Sequence, residues 1–187
     1  MNTVAELAYE LSSEQIAFFH LEGYLIVRNL LSPAEVDAIA SRFAALADGS
    51  QPAPAGKWER DVNAADPLSR FPRVMHPHRW DELSKKMLLH PKVKAVLTQL
   101  LRDEPVATQS MYYFKPPSSR GQALHQDNFY LQVEPQTCIA AWMAIDPAAP
   151  DNGGLYVVPH TQDYELVCPE QANMKESAFV HLVRPPA

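Results

Sequence analysis

The sequence predicts a mainly β fold with flanking helices, and three observations carry that reading. Helical periodicity is confined to the chain before Pro105. From Pro105 onward, short apolar runs recur between Pro, Gly, Asn and Asp turns. Seventeen prolines in 187 residues are many for a helical bundle and suit short antiparallel strands. Helices first and spaced strands afterwards fit a double-stranded β-helix, the jelly-roll or cupin-like architecture, with a helical flank. No composition break separates two folding units, so a single domain over residues 1–187 is expected, with the helical flank at 1–104 and the β portion at 105–187.

The first element is a helix from Ser12 or Ser13 to about His20. A Ser caps it, Ile16, Phe18 and Phe19 supply apolar positions, and Gly23 ends it. Tyr24–Val27 reads as a short strand. Ser32-Pro33-Ala34-Glu35 then combines a capping Ser, a Pro at the first helical position and a Glu at the third. Val36, Ile39, Phe43 and Leu46 follow at helical spacing. Residues 48–72, rich in Pro, Ala, Gly and Asp, read as a long loop or lid, and Pro91–Leu101 as another helix. The predicted strands are Val106–Phe114, Cys138–Ile145, Leu155–Val158 and Phe179–Val183, with Asn152-Gly153-Gly154 as a turn that needs positive φ.

Composition excludes several classes of function. Sixteen Lys and Arg against 22 Asp and Glu give a net charge of -6, with no basic concentration, which argues against a nucleic-acid partner. No apolar stretch is long enough to span a bilayer, and the N-terminus lacks a basic region followed by an apolar run, so a cytoplasmic protein with no membrane partner is expected. Cys138 and Cys168 lie far apart with no Cys or His at zinc-site spacing, which indicates neither a disulfide framework nor a zinc centre.

The chemistry concentrates in Leu124-His125-Gln126-Asp127-Asn128-Phe129-Tyr130. On an extended segment alternate residues point the same way, so His125 and Asp127 would share a face. An imidazole and a carboxylate so placed supply two of the three positions of a 2-His-1-carboxylate iron triad. The tripeptide by itself also fits a surface turn or a plain hydrogen-bonded His-Asp pair. Met111 and Trp142 lie in apolar runs, where core packing is the simpler role. His76 and His78 could approach a substrate, or be solvated loop histidines.

Four segments in order change the weighting: Gln109-Ser110-Met111-Tyr112-Tyr113-Phe114-Lys115-Pro116-Pro117, His125-Gln126-Asp127, Ala141-Trp142-Met143-Ala144-Ile145-Asp146, and Asp151-Asn152-Gly153-Gly154-Leu155-Tyr156-Val157-Val158-Pro159. Together they resemble the phytanoyl-CoA dioxygenase family of iron(II) and 2-oxoglutarate-dependent oxygenases, over about Ser13 to Val183. The resemblance implies that His125 and Asp127 are iron ligands, with Gln126 close to 2-oxoglutarate. It implies that Met111 and Trp142 contact the same co-substrate, and that Arg73 stands where the family has a basic residue approaching it. The implied cofactor is Fe(II), with 2-oxoglutarate and O2 as co-substrates, ascorbate as a supporting reductant and a small organic molecule as substrate. Asp127 favours hydroxylation, because related halogenases carry a small residue in place of the carboxylate.

The same resemblance implies a later His as third ligand and an Arg that pairs with the far carboxylate of 2-oxoglutarate. Neither motif stands before Ala187, so the barrel is expected to be incomplete at its C-terminal strands and this chain alone to be inactive. His181, with Arg184 as carboxylate partner, is the weak candidate for these roles, and His160 a weaker one. An incomplete barrel would expose a strand edge and allow self-association. Two other classes stay open: an inactive barrel that binds a small molecule or a partner, and a metal-dependent cupin that does not use 2-oxoglutarate.

Overall fold

A computed structural model describes residues 9–135 and 137–184. They fall into two compact units. The first takes the chain up to Glu59 together with Arg73–Tyr113, and the second takes Arg60–Pro72 together with Phe114 onward.

The first unit holds the helices α1 (Ser13–Glu22), α2 (Pro33–Asp48), α4 (Glu82–Leu88) and α5 (Pro91–Leu101), with a 3-10 turn at Pro77–Arg79. Local chemistry sets their ends. Ser12 and Gln15 form a capping box on α1, Ser32 and Glu35 form one on α2, and Gly23 and Gly49 close these helices at φ 81° and 84°. Ile39, Phe43 and Leu46 from α2 and Val93, Ala95, Val96 and Leu100 from α5 are buried, and Val74 is fully so. Among the described residues, every buried hydrophobic except Ala172 belongs to this unit. The Gln99 amide ties α5 to the segment entering α1. Its Oε1 accepts from Leu11 N at 3.0 Å and its Nε2 donates to Tyr9 O at 2.9 Å. Arg42 joins α2 to the cap of α4 through Asp81 at 2.6 Å.

The α2 cap carries a pH dependence. Ser32 N and Oγ donate to Glu35 Oε2 at 2.8 and 2.7 Å, and His90 Nε2 meets Oε1 at 3.0 Å. The Ser32 backbone N–H first, then its hydroxyl and His90, hold the Glu35 carboxyl at about 2, below an ordinary 4.5. A folded-state value below the unfolded one stabilises the fold fully above about 4.5, and that stabilisation is lost as pH falls through about 2. Thermal unfolding of the parent and Glu35→Gln should therefore show a gap at neutral pH that closes across that window.

A two-stranded antiparallel ribbon lies beside these helices. β1 (Val74–Met75) pairs with β2 (Met111–Tyr112), Val74 opposite Tyr112 and Met75 opposite Met111. One face of the ribbon enters the core, where Tyr112 lies against Phe43 with ring centroids 3.7 Å apart. The opposite face carries Met75 and Met111, 36% and 37% exposed.

The second unit contains α3 (Pro67–Arg70), the single-turn α6 (Asn128–Leu131), and a ribbon in which β3 (Glu170–Gln171) pairs with β4 (His181–Leu182). α3 gives the predicted 48–72 loop a helical turn, capped by Asp66, which also receives Arg120 at 2.6 Å. Asn152 organises the predicted Gly turn: its Oδ1 accepts from Ala149 N and its Nδ2 donates to Pro147 O, both at 2.7 Å. Gly153 has φ 93° as expected, and a Cβ on Gly154 would lie 2.9 Å from Ala149 O. No helix among the described residues is long and apolar enough to cross a membrane.

The double-stranded β-helix is not seen among the described residues. Of the predicted runs, only Met111–Tyr112 and His181–Leu182 pair as strands; Tyr24–Val27, Cys138–Ile145 and Leu155–Val158 do not. A strand is defined by ladder hydrogen bonds to a neighbour, and among the described residues these runs have none. Leu155, Tyr156 and Val157 are 62%, 68% and 53% exposed. Where pairing does form, proline limits its length. Pro72 and Pro77 bracket β1 and Pro169 precedes β3, and a residue without an N–H cannot extend a ladder.

Candidate functional site

His125 and Asp127 meet in the second unit, although not on a strand. Asp127 has helical φ -57° and ψ -37° and leads into α6, its carbonyl accepting from Tyr130 N at 3.0 Å. The extended-segment expectation is corrected here, yet the two side chains still converge. His125 Nε2 lies 3.0 Å from Asp127 Oδ1, and His125 Nδ1 lies 2.8 Å from Ala123 O. A backbone carbonyl only accepts, so Nδ1 carries a hydrogen and a neutral ring turns its Nε2 lone pair toward the carboxylate. Two acceptors at that separation need a cation between them, either a proton or a metal ion. The Asp127 hydrogen bond, opposed by burial and aided by the Ala123 carbonyl, raises the His125 pKa above its ordinary 6.5. The spacing also fits a metal. Ligands roughly 2.1 Å from a first-row divalent ion and at right angles stand about 3 Å apart. The donor set, imidazole plus carboxylate with the imidazole oriented from behind by a carbonyl, suits iron.

Aromatic rings line this pair. Tyr130 lies edge-on to His125 with centroids 6.0 Å apart, and its hydroxyl approaches His181 Nδ1 at 3.3 Å. The His181 ring also packs on Phe129 at 5.4 Å. Thus His181 enters the same cluster through Tyr130. Arg184, its proposed companion, pairs instead with Glu170 at 2.8 Å on the surface. His160 sits at φ 61°. Among the described residues no group of three or more His, Cys, Asp or Glu is arranged to hold a metal. Burial first, and then the Asp127 charge, push the Cys138 thiol pKa up, so the thiol stays protonated.

The remaining predicted residues have distinct settings. Gln126 is clamped by backbone: its Nε2 donates to Glu165 O at 3.1 Å and its Oε1 accepts from Val167 N at 2.8 Å. Trp142 is 48% exposed, in a stretch of the second unit that belongs to no strand or helix. Met111 and Arg73 lie in the first unit, where both meet Tyr113. Arg73 Nη1 donates to Tyr113 Oη at 3.5 Å, and that hydroxyl donates to Met111 Sδ at 3.4 Å. His78 Nδ1 contacts Ser110 Oγ at 2.7 Å, and burial, with the nearby His76 and Arg79, lowers its pKa. The structure thus brings together His125 with Asp127, and Arg73 with Met111.

Sequence reading missed Tyr113, Tyr130 and the Ala123 carbonyl. Tyr113 carried a usable signal, since it stands two residues after Met111 in a predicted strand and so shares its face. The carbonyl carried none, because a backbone group has no residue type to read.

Comparison with known proteins agrees with the motifs. The chain is 31% identical to phytanoyl-CoA dioxygenase 1 of Oryza sativa subsp. japonica over 183 residues, covering 81% of this chain and 65% of that protein. It is 26% identical to phytanoyl-CoA dioxygenase of Arabidopsis thaliana over 189 residues, covering 84% and 67%. A phytanoyl-CoA dioxygenase domain-containing protein 1 of Danio rerio is 26% identical over 188 residues, covering 80% and 65%. The chain therefore spans about two thirds of the length of these curated relatives. No solved structure matches. The family model for phytanoyl-CoA dioxygenase (PhyH) matches residues 19–183, nearly the whole chain, and the chain belongs to that family.

Proposed function

We propose that this protein is an iron(II) and 2-oxoglutarate-dependent oxygenase that hydroxylates a small organic molecule. The observation that carries the reading is the His125–Asp127 pair, 3.0 Å apart, with the imidazole held from behind by the Ala123 carbonyl. Iron, 2-oxoglutarate and O2 together supply the oxidising power for C–H hydroxylation, with release of CO2 and succinate. His125 and Asp127 hold the metal, and Asp127 occupies the position that hydroxylation, unlike halogenation, keeps as a ligand. Met111, Gln126, Trp142 and Arg73 are the residues assigned to the co-substrate, with support from the ordered motifs and the family match. His181 is the candidate for a third donor, supported by its place beside Tyr130. The double-stranded β-helix remains part of this reading, supported by the family match. The rice and Arabidopsis relatives are named for phytanoyl-CoA, so an acyl-CoA thioester is the first substrate class to assay.

Anaerobic titration of 2-oxoglutarate into the chain with and without Fe(II) tests this reading. Binding should require the metal and should be lost in Asp127→Ala. Admission of O2 in the presence of ascorbate and an acyl-CoA reads succinate release as a second measure. Metal binding with no 2-oxoglutarate uptake would favour a cupin of another kind. Absence of both metal binding and co-substrate binding would overturn the proposal.

A further inference from the structure

Asp127 opens a single helical turn, and Tyr130 stands three residues along it. Residues three apart on a helix are neighbours on one face. The Tyr130 N–H also donates to the Asp127 carbonyl at 3.0 Å, which ties the two positions together. The Tyr130 ring lies edge-on to His125 at 6.0 Å between centroids and packs edge-on against Phe129 at 5.2 Å. Its hydroxyl, at the far end of the ring, meets His181 Nδ1 at 3.3 Å. One phenol is thus held from several sides next to both members of the His125–Asp127 pair, and all of these residues belong to the second unit. A phenol is rich in electrons at the carbons next to its hydroxyl. Those C–H bonds are far more open to an oxygen-transferring oxidant than the C–H bonds of the Phe129 ring beside them.

We propose that Tyr130 is a self-hydroxylation site: when no substrate is bound, the oxygen atom destined for substrate is delivered to the Tyr130 ring beside its hydroxyl, which turns the side chain into a catechol. This rests on the oxygenase reading, and it assigns a covalent modification to a residue that binds neither metal nor co-substrate in that reading. The step balances without a further reductant. The 2-oxo acid loses its keto-side carboxylate as CO2 and takes one atom of O2 to become succinate. The ring C–H takes the other atom and becomes C–OH. O2 accepts four electrons, two from the oxo acid and two from the ring carbon. The extent of the modification therefore records turnover in the absence of substrate.

The test has one readout with turnover and one without. Incubate the chain with Fe(II), ascorbate, catalase and isotopically labelled O2, with and without 2-oxoglutarate and with no substrate, then locate added oxygen by peptide fragmentation and measure succinate. Tyr156, 68% exposed, and Tyr164, 45% exposed, lie in the same unit as Tyr130, itself 46% exposed, and serve as internal controls. Radicals loose in solution strike rings by exposure, so they would mark Tyr156 ahead of Tyr130. The expected result is the reverse: labelled oxygen on Tyr130, dependent on 2-oxoglutarate, lost in Asp127→Ala, with Tyr156 and Tyr164 unmarked. Separately, Mn(II), which is redox-silent and paramagnetic, is titrated into protein carrying isotopically labelled tyrosine. It should broaden the Tyr130 ring signals before those of Tyr156 and Tyr164. Succinate release with Tyr130 unmarked overturns the inference and leaves the oxygenase reading standing. Oxygen on Tyr156 ahead of Tyr130, on Phe129 in its place, or on Tyr130 without 2-oxoglutarate also overturns it, as does Mn(II) broadening that spares Tyr130. Neither succinate nor any Mn(II) broadening overturns the oxygenase reading, and this inference with it.

Discussion

His125→Ala is expected to bind iron(II) at least about a hundredfold more weakly than the parent chain, measured by competition with a chromogenic chelator. The loss follows from the geometry: Nε2 and Asp127 Oδ1 stand 3.0 Å apart, so removing either leaves one donor where a chelating pair had been. Even residues that merely orient a ligand are worth about 10–100-fold in metal affinity, and a ligand itself contributes more. Asp127→Ala should match it, and Asp127→Asn, which keeps an oxygen but loses the charge, should fall between. Gln122 offers a control. Its amide nitrogen reaches His125 Nε2 at 3.2 Å, and Gln122→Ala should leave iron affinity within a few-fold, because the carbonyl of Ala123 orients the ring from its other nitrogen. Undiminished affinity in His125→Ala would show that any metal the chain takes up sits elsewhere.

How much of this was legible in the sequence depended on how local the determining forces are. α2 was readable because Ser32, Pro33 and Glu35 each act within a few residues of their own backbone. α5 was readable because Val93, Val96 and Leu100 recur at helical spacing, and all three are buried. α4 was passed over although Asp81 caps it through Ser84 N at 2.8 Å, since seven residues give too short a period to stand out. Strands failed for the opposite reason. Apolar runs such as Leu155–Val158 have strand composition, but pairing is decided by a distant segment that supplies the matching N–H and C=O groups, and composition does not name that segment.

The candidate site divides in the same way. His125 and Asp127 drew attention by their spacing and were assigned to iron through the family resemblance, and their convergence survived the replacement of an extended segment by the start of α6. Gln126 was assigned to the co-substrate, and its amide is engaged at both ends by the backbone of Glu165 and Val167. That contact spans some forty positions of chain and leaves no local trace. Tyr113, which the sequence reading missed, is intermediate: alternation could have put it on the face of Met111, while its hydrogen bond to Arg73 depends on the register of β1 against β2.

Phe43→Ala should be the most damaging single change to stability, at about 3–4 kcal/mol by denaturant unfolding, out of a total of about 5–15 for a domain of ordinary stability. Phe43 is 5% exposed and sits among Ile39 and Leu46 on the buried face of α2. Its ring is nearly parallel to that of Tyr112, at 5° and 3.7 Å between centroids. This is closer to a face-to-face sandwich than the offset pairing aromatic rings prefer, so the effect should come from lost apolar area and the cavity left behind, with little from ring electrostatics. Phe18→Ala, at a ring 40% exposed, is the matched control and should cost under about 1 kcal/mol. The Phe43 change also reaches the ribbon. Tyr112 stands between Met111 and Tyr113, and anchoring its ring in the core holds β2 so that its two neighbours present their side chains on the exposed face. Phe43→Ala should therefore loosen the β1–β2 ribbon as well as lower the unfolding midpoint. If Phe43→Ala proved as stable as the parent, the stack would be incidental and the ribbon would have to be held by its other contacts.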